Sequence, residues 1–260
     1  MSTEPVYIEC NAPVARLVLN RPDRLNALNS AIWSAIPALL EQVAADPEIK
    51  VLLVSGVNAD AFAAGADIAE FIGIMADCTA GAYAARMGKA TRALAAFPKP
   101  TIAVIQGPCF GGGCNLALCC DFRFAAEDAR FGITPTRLGI TYPLEDTKRL
   151  IDAVGLGAAR DLLMTGRFLN AEEALSFGFI DRRWPAERLW DETNAYAATL
   201  AAGSQYSIRA TKAIIGEIHA GALLETERSQ SLWTGAFEGE DLAEGAKAFL
   251  EKRKPRFTFS

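Results

Sequence analysis

The sequence predicts an α/β fold, with a β/α core over residues 1–200 and a helical region over 201–260. Three observations carry this. Two continuous apolar runs, IKVLLVSG (49–56) and TIAVIQG (101–107), read as strands buried on both faces. Each leads through a small-residue turn to an apolar helix start, FAAGADIAEFI after the first and GGGCNLALCC after the second, so the unit repeats. After residue 144 the chain turns mainly helical.

In chain order, ARLVLN (15–20) alternates weakly and reads as a strand, and NRPDRLNALN is a turn-rich loop. Asn29 and Ser30 are caps for a helix over SAIWSAIPALLEQVAAD, with a kink or break expected at Pro37. TAGAYAARMGKATRALAAF is helical by period and FPKP closes it. FRFAAEDARFGI reads as short strands. LEDTKRLIDAV, AARDLLMT, NAEEALSFG and PAERLWDETNAYAATLA follow as helices, with three more after them, and FGFIDRRW contributes one short strand. A helical region that cannot form a core alone must pack on the body or on another subunit.

Composition excludes several classes. The 260 residues carry a net charge of −5, and no basic tract marks a nucleic-acid binder. MSTEPVYIEC has neither the basic start nor the apolar run of a signal peptide, and no apolar segment is long enough to span a bilayer. The six cysteines form no C-x-x-C and read as buried reduced thiols, so a cytoplasmic location is expected. His219 is the only histidine, so any Ser-His-Asp or Cys-His arrangement depends on it, and it has no second imidazole with which to build a metal site. It reads as a helix-end surface or packing residue, and no metal is expected.

The two small-residue turns carry the chemistry. Glycine removes the Cβ and lets a ligand touch backbone amides. A helix that starts at such a turn points free N–H groups outward with partial positive charge. Two such turns on adjacent strands can offer one amide each to a single oxygen that becomes anionic during reaction. GGGCNL fails the G-x-G-x-x-G dinucleotide pattern, and no G-K-[ST] completes a phosphate loop. Close helix–strand packing is the competing explanation of the glycines, weakened by the presence of two matched turns.

With these residues in view, the sequence resembles the crotonase superfamily, the enoyl-CoA hydratases and isomerases. The resemblance rests jointly on NRPDRLNAL, FAAGADI, KPTIAVIQGPCFGGGCNLAL, CDFRFAAEDARFG, LLMTGRFLNAEEALSFGFID and AFLEKRKPRF, almost end to end. It implies a crotonase-like spiral of ββα units with a C-terminal helical trimerisation region, and a homotrimer or dimer of trimers. It implies a coenzyme A thioester as substrate, with no tightly bound cofactor. It places the thioester oxygen between the amides of Ala66 and Gly112. Ala27, Leu28, Ala64, Asp67 and Ile68 would lie along the pantetheine and adenine, and Arg24 could reach a phosphate. Phe249 and Lys252 match positions that reach the cofactor, commonly across a subunit boundary.

The chain departs from the hydratases at both catalytic glutamates: Asn115 and Pro135 stand there. Asparagine can hold a water or substrate but cannot take its proton at neutral pH. The loop ITYPLEDTKRL supplies Tyr142, Glu145 and Asp146; neither carboxylate aligns with acids known elsewhere in the superfamily, and both also suit a helix start. Glu145 is the expected acid/base, with Tyr142 as a hydrogen-bond donor and Asn115 facing the substrate. Isomerisation or atypical hydration of an enoyl-CoA is expected. Dehalogenation, decarboxylation and carbon–carbon cleavage remain open, as does a catalytically inactive acyl-CoA-binding protein.

Overall fold

A computed structural model describes residues 3–77 and 79–258. Two sheets are wound together. The larger has the order β1-β2-β3-β4-β6-β9, formed by Val6–Asn11, Val14–Leu19, Val51–Gly56, Thr101–Ile105, Phe122–Ala126 and Arg182–Trp184. Only the β1–β2 pair is antiparallel. β3 and β4 are buried at every residue, as their unbroken apolar runs require. The smaller sheet joins β5 (Pro108–Phe110), β7 (Arg130–Gly132) and β8 (Phe168–Asn170).

The repeat read in the sequence is the winding rule. β4 enters the large sheet, β5 the small one, and α4 (Gly112–Leu118) follows; β6 and β7 repeat this, followed by the short helix α5 (Pro135–Leu138). After β3, Ala63 bridges Cys109 in parallel and so extends the small sheet before α2 (Ile68–Ala76). Strands β1, β5 and β8 were not among the sequence expectations. β1 is an edge strand with three exposed residues, and the other two are three residues long, too short for alternation to show.

Asn29 caps α1 (Ser30–Ala45) through its side chain, 3.1 Å from the amide of Ile32. The break expected at Pro37 does not occur: α1 runs through it, and Pro37 is buried. Packing overrides the helix preference here, because Ile32, Trp33, Ile36, Leu40 and Val43 bury the same helix in the main core. α3 (Ala80–Ala95) packs against α1, and Trp33 Nε1 donates to Tyr83 Oη at 3.1 Å. Helix α6 (Leu144–Thr165) is interrupted at Gly155, whose φ of +76° separates the two helical stretches read in the sequence. α7 (Ala171–Ser176) and α8 (Ala186–Ala202) follow, then α9 (Gln205–His219), α10 (Glu227–Glu238) and α11 (Glu240–Leu250). No helix among the described residues is long and apolar enough to cross a membrane.

Candidate active site

The site is built where two turns meet. Leu28 forms a parallel bridge with Ala66: the Leu28 amide donates to Gly65 O at 2.7 Å and the Asp67 amide to Leu28 O at 3.0 Å. In a parallel bridge of this form the central residue's own amide points away from its partner, so the Ala66 N–H faces the other side. There lies the GGG turn. Phe110 N donates to Ala63 O at 2.8 Å and Ala63 bridges Cys109, so the strand that leads to Ala66 runs beside the strand that leads to Gly112. Gly112 is the first residue of α4, where an amide has no intrahelical acceptor. Ala66 and Gly112 are both partly open to solvent.

The glycines are required by contact as well as conformation. A Cβ on Gly113 would lie 2.7 Å from Ala63 O, and one on Gly112 would lie 3.1 Å from Leu28 Cδ1. Gly111 has φ +47° and packs its α-carbon side against Gly65. Close packing therefore accounts for these glycines whatever the turn binds.

The loop before α1 is locked by residues that sequence reading passed over. Asn26, at φ +56°, donates to Ala61 O at 2.7 Å and accepts from the Arg21 amide at 2.9 Å. Arg21 donates to Ala27 O at 2.6 Å and pairs with Asp67 at 2.8 Å. Asp67 Oδ1 also accepts from the Ala69 amide at 3.1 Å, opening α2. Its hydrogen bond from Arg21 holds the Asp67 carboxyl below the usual range. Asp67 thus fixes the Ala66 turn with its side chain turned to the protein. The available signal was an asparagine within a turn-rich loop, a residue type that tolerates the left-handed region.

Asn115 and Asp146 meet in the buried wall behind the GGG turn. Asn115 sits one helical turn beyond Gly111, and its amide donates to Gly111 O at 3.2 Å. Side chains on a helix lean toward its N-terminus, so Asn115 leans toward the turn. Its Nδ2 donates to Asp146 Oδ2 at 2.8 Å, and its Oδ1 is buried without a partner among the described residues. Asp146 is only 3% exposed. Burial pushes its carboxyl pKa up, opposed by Arg149, whose Nη1 donates to Asp146 Oδ1 at 2.7 Å. Tyr142 Oη lies 3.5 Å from Gly111 O, and burial pushes its phenol pKa up, so the hydroxyl keeps its proton.

Glu145, the expected acid/base, does not share this position. It is half-exposed and ion-paired to Arg92 at 3.0 Å and to Arg149 at 3.7 Å. Adjacent residues on a helix point about 100° apart, so only one of Glu145 and Asp146 can face α4. Sequence order alone did not say which. Pro135 is buried at the first position of α5.

Of the residues expected along the cofactor, Ala27 and Ala64 are partly exposed beside the Ala66 turn, Leu28 is buried, and Ile68 is exposed. Arg24 is exposed, with only a 3.8 Å contact to Asp23. Phe249 is 83% exposed at the end of α11, and Lys252 follows it with φ +55°. His219 is an exposed helix-end residue 3.3 Å from Asp152.

The sequence model of the family "Enoyl-CoA hydratase/isomerase" matches residues 9–259. The chain belongs to the enoyl-CoA hydratase/isomerase family. It is 37% identical to the crotonyl-CoA hydratase of Syntrophomonas wolfei, with 99% of each chain covered. It is 38% identical to "Probable enoyl-CoA hydratase echA8" of Mycobacterium bovis at the same coverage. A crystal structure of an enoyl-CoA hydratase/isomerase family protein from Hyphomonas neptunium superposes with a TM-score of 0.95 at 45% identity, covering 98% of both chains. The fold is that of the crotonase superfamily and the protein is an enzyme of this family.

Proposed function

We propose that the chain acts on a coenzyme A thioester by forming an enolate, with one carboxyl, Asp146, as its acid/base group. The observation that carries this is the pairing of a buried Asp146 with Asn115 beside the GGG turn. The amides of Ala66 and Gly112 receive the thioester oxygen. Its negative charge grows as a proton leaves the acyl chain, so fixed donors lower the barrier more than they strengthen substrate binding. The raised pKa of Asp146 makes its carboxylate a stronger base near neutrality.

One carboxyl suffices for isomerisation. Asp146 takes a proton from one carbon, the electron pair moves onto the thioester oxygen, and the protonated acid returns the proton to the carbon at the far end of the dienolate. Tyr142 donates a hydrogen bond on the same wall. Hydration is the second reading: the unpartnered Asn115 Oδ1 is an acceptor for a water hydrogen, and the 37% identical relative is a crotonyl-CoA hydratase.

Ala27, Leu28, Ala64 and Ile68 would flank the pantetheine, with Arg24, Phe249 and Lys252 toward the nucleotide. The exposed Trp233, Phe237, Phe249 and Leu250 support a homotrimer or dimer of trimers. The buried thiols of Cys109, Cys114, Cys119 and Cys120 support work in a reducing cytoplasm.

The test is mass-spectrometric deuterium uptake in D2O with saturated, 2-enoyl and 3-enoyl CoA esters. Uptake is expected with one class, is lost in Asp146→Asn, and falls at least tenfold less in Glu145→Gln. Binding without uptake across the panel would favour a non-catalytic acyl-CoA protein.

A further inference from the structure

Asp146 is held from two sides. Its Oδ2 takes the Asn115 bond at 2.8 Å and its Oδ1 takes the Arg149 bond at 2.7 Å. Arg149 lies one turn further along α6, with its side chain 19% exposed. It is itself held by Glu145 at 3.7 Å, and Glu145 is held by Arg92 of α3 at 3.0 Å. A chain of charge therefore runs from an exposed arginine on one helix to a buried carboxyl on another.

We infer that Arg149 is the positioning residue for Asp146: it binds Oδ1, turns Oδ2 toward Asn115 and the GGG turn, and keeps the carboxyl ionised in a buried wall. This rests on the reading of Asp146 as the acid/base group. A carboxylate so buried needs a paired cation to stay charged. The guanidinium fork fixes orientation as well as charge, which an ammonium does not. Glu145 opposes the charge effect of Arg149 on Asp146 but anchors the Arg149 side chain. Tyr142, Cys119 and Asn115 also face this corner, and none of them supplies a positive charge. Glu145 thus belongs to the site through Arg149 and not as the base.

The experiment follows the Asp146 carboxyl by 13C NMR in the full-length protein labelled at aspartate, with its signal identified by its loss in Asp146→Asn. Arg149→Met and Arg149→Gln are expected to raise its titration midpoint by about one pH unit or more. Arg149→Lys is expected to raise it less. The acid limb of kcat/KM should move up in the same order. Should Arg149→Met fail to fold, Arg149→Gln decides, since its amide still donates to the carboxyl. Equal midpoints in wild type and Arg149→Gln would overturn the inference. Deuterium uptake surviving in Asp146→Asn would instead overturn the acid/base reading, whatever the titration shows.

Discussion

In the proposed reaction, Asp146 and Asn115 stand in for the two glutamates of the hydratases this chain resembles. An amide cannot accept a proton at neutral pH, so Asn115 is left to orient Asp146 and a ligand atom. Asp146→Asn should lower kcat/KM on the order of 10²- to 10⁴-fold, the usual worth of a general acid/base, with substrate affinity by calorimetry largely kept. The sign of the pH dependence follows from the raised pKa. Asp146 is a base only when ionised, so kcat/KM should fall as pH drops through a midpoint above the ordinary aspartate range. At the neighbouring turn, Gly113→Ala would set a methyl 2.7 Å from Ala63 O and push apart the two small-residue turns. We expect about 1–3 kcal/mol of lost stability in urea titration. Displacing one amide from the oxygen would add roughly 3 kcal/mol to the barrier, read as a fall in kcat.

The helices around the site are secured by polar contacts that apolar patterning does not show. Lys99 is buried after α3, and its Nζ donates to Val43 O at 2.8 Å and Asp46 O at 2.5 Å, closing the end of α1. Burial lowers its pKa to about 8. The unfolded chain therefore holds this proton to higher pH than the native one, and the Lys99 contribution to stability rises as pH climbs from about 8 toward 10.5. Relative to Lys99→Met, wild type should gain stability across that window, measured by urea unfolding at its two ends. The Trp33–Tyr83 bond ties α1 to α3 in the same core. Tyr83→Phe strands a buried indole N–H and should cost about 1–3 kcal/mol.

At the scale of the whole molecule, the C-terminal region carries several exposed apolar side chains. Trp233, Phe237, Leu223, Leu224, Phe249 and Leu250 are each more than 60% exposed. Trp233 and Phe237 stack on each other and remain exposed, which supports the proposed self-assembling face. Light scattering should report three or six chains. Trp233→Glu with Phe249→Glu should shift the protein toward monomer and weaken CoA-ester binding, if the end of α11 completes a neighbour's site. A monomeric wild type would remove Phe249 and Lys252 from the binding site.

The sequence by itself determined the winding and the two small-residue turns. Unbroken apolar runs and glycine-rich turns are local signals, and β3, β4, Ala66 and Gly112 carry them within a few residues. The resemblance added the spiral fold, which the two sheets match. Tertiary structure decided which carboxylate is buried beside Asn115. Glu145 and Asp146 are adjacent carboxylates with the same helix-start chemistry. Only the packing of α6 against α4 buries Asp146 against Asn115 and leaves Glu145 to Arg92, contacts that span 31 and 53 residues. The same holds for the burial of Pro37 inside α1 and the pairing of Asp67 with Arg21, because burial and pairing depend on neighbours that sequence order does not reveal.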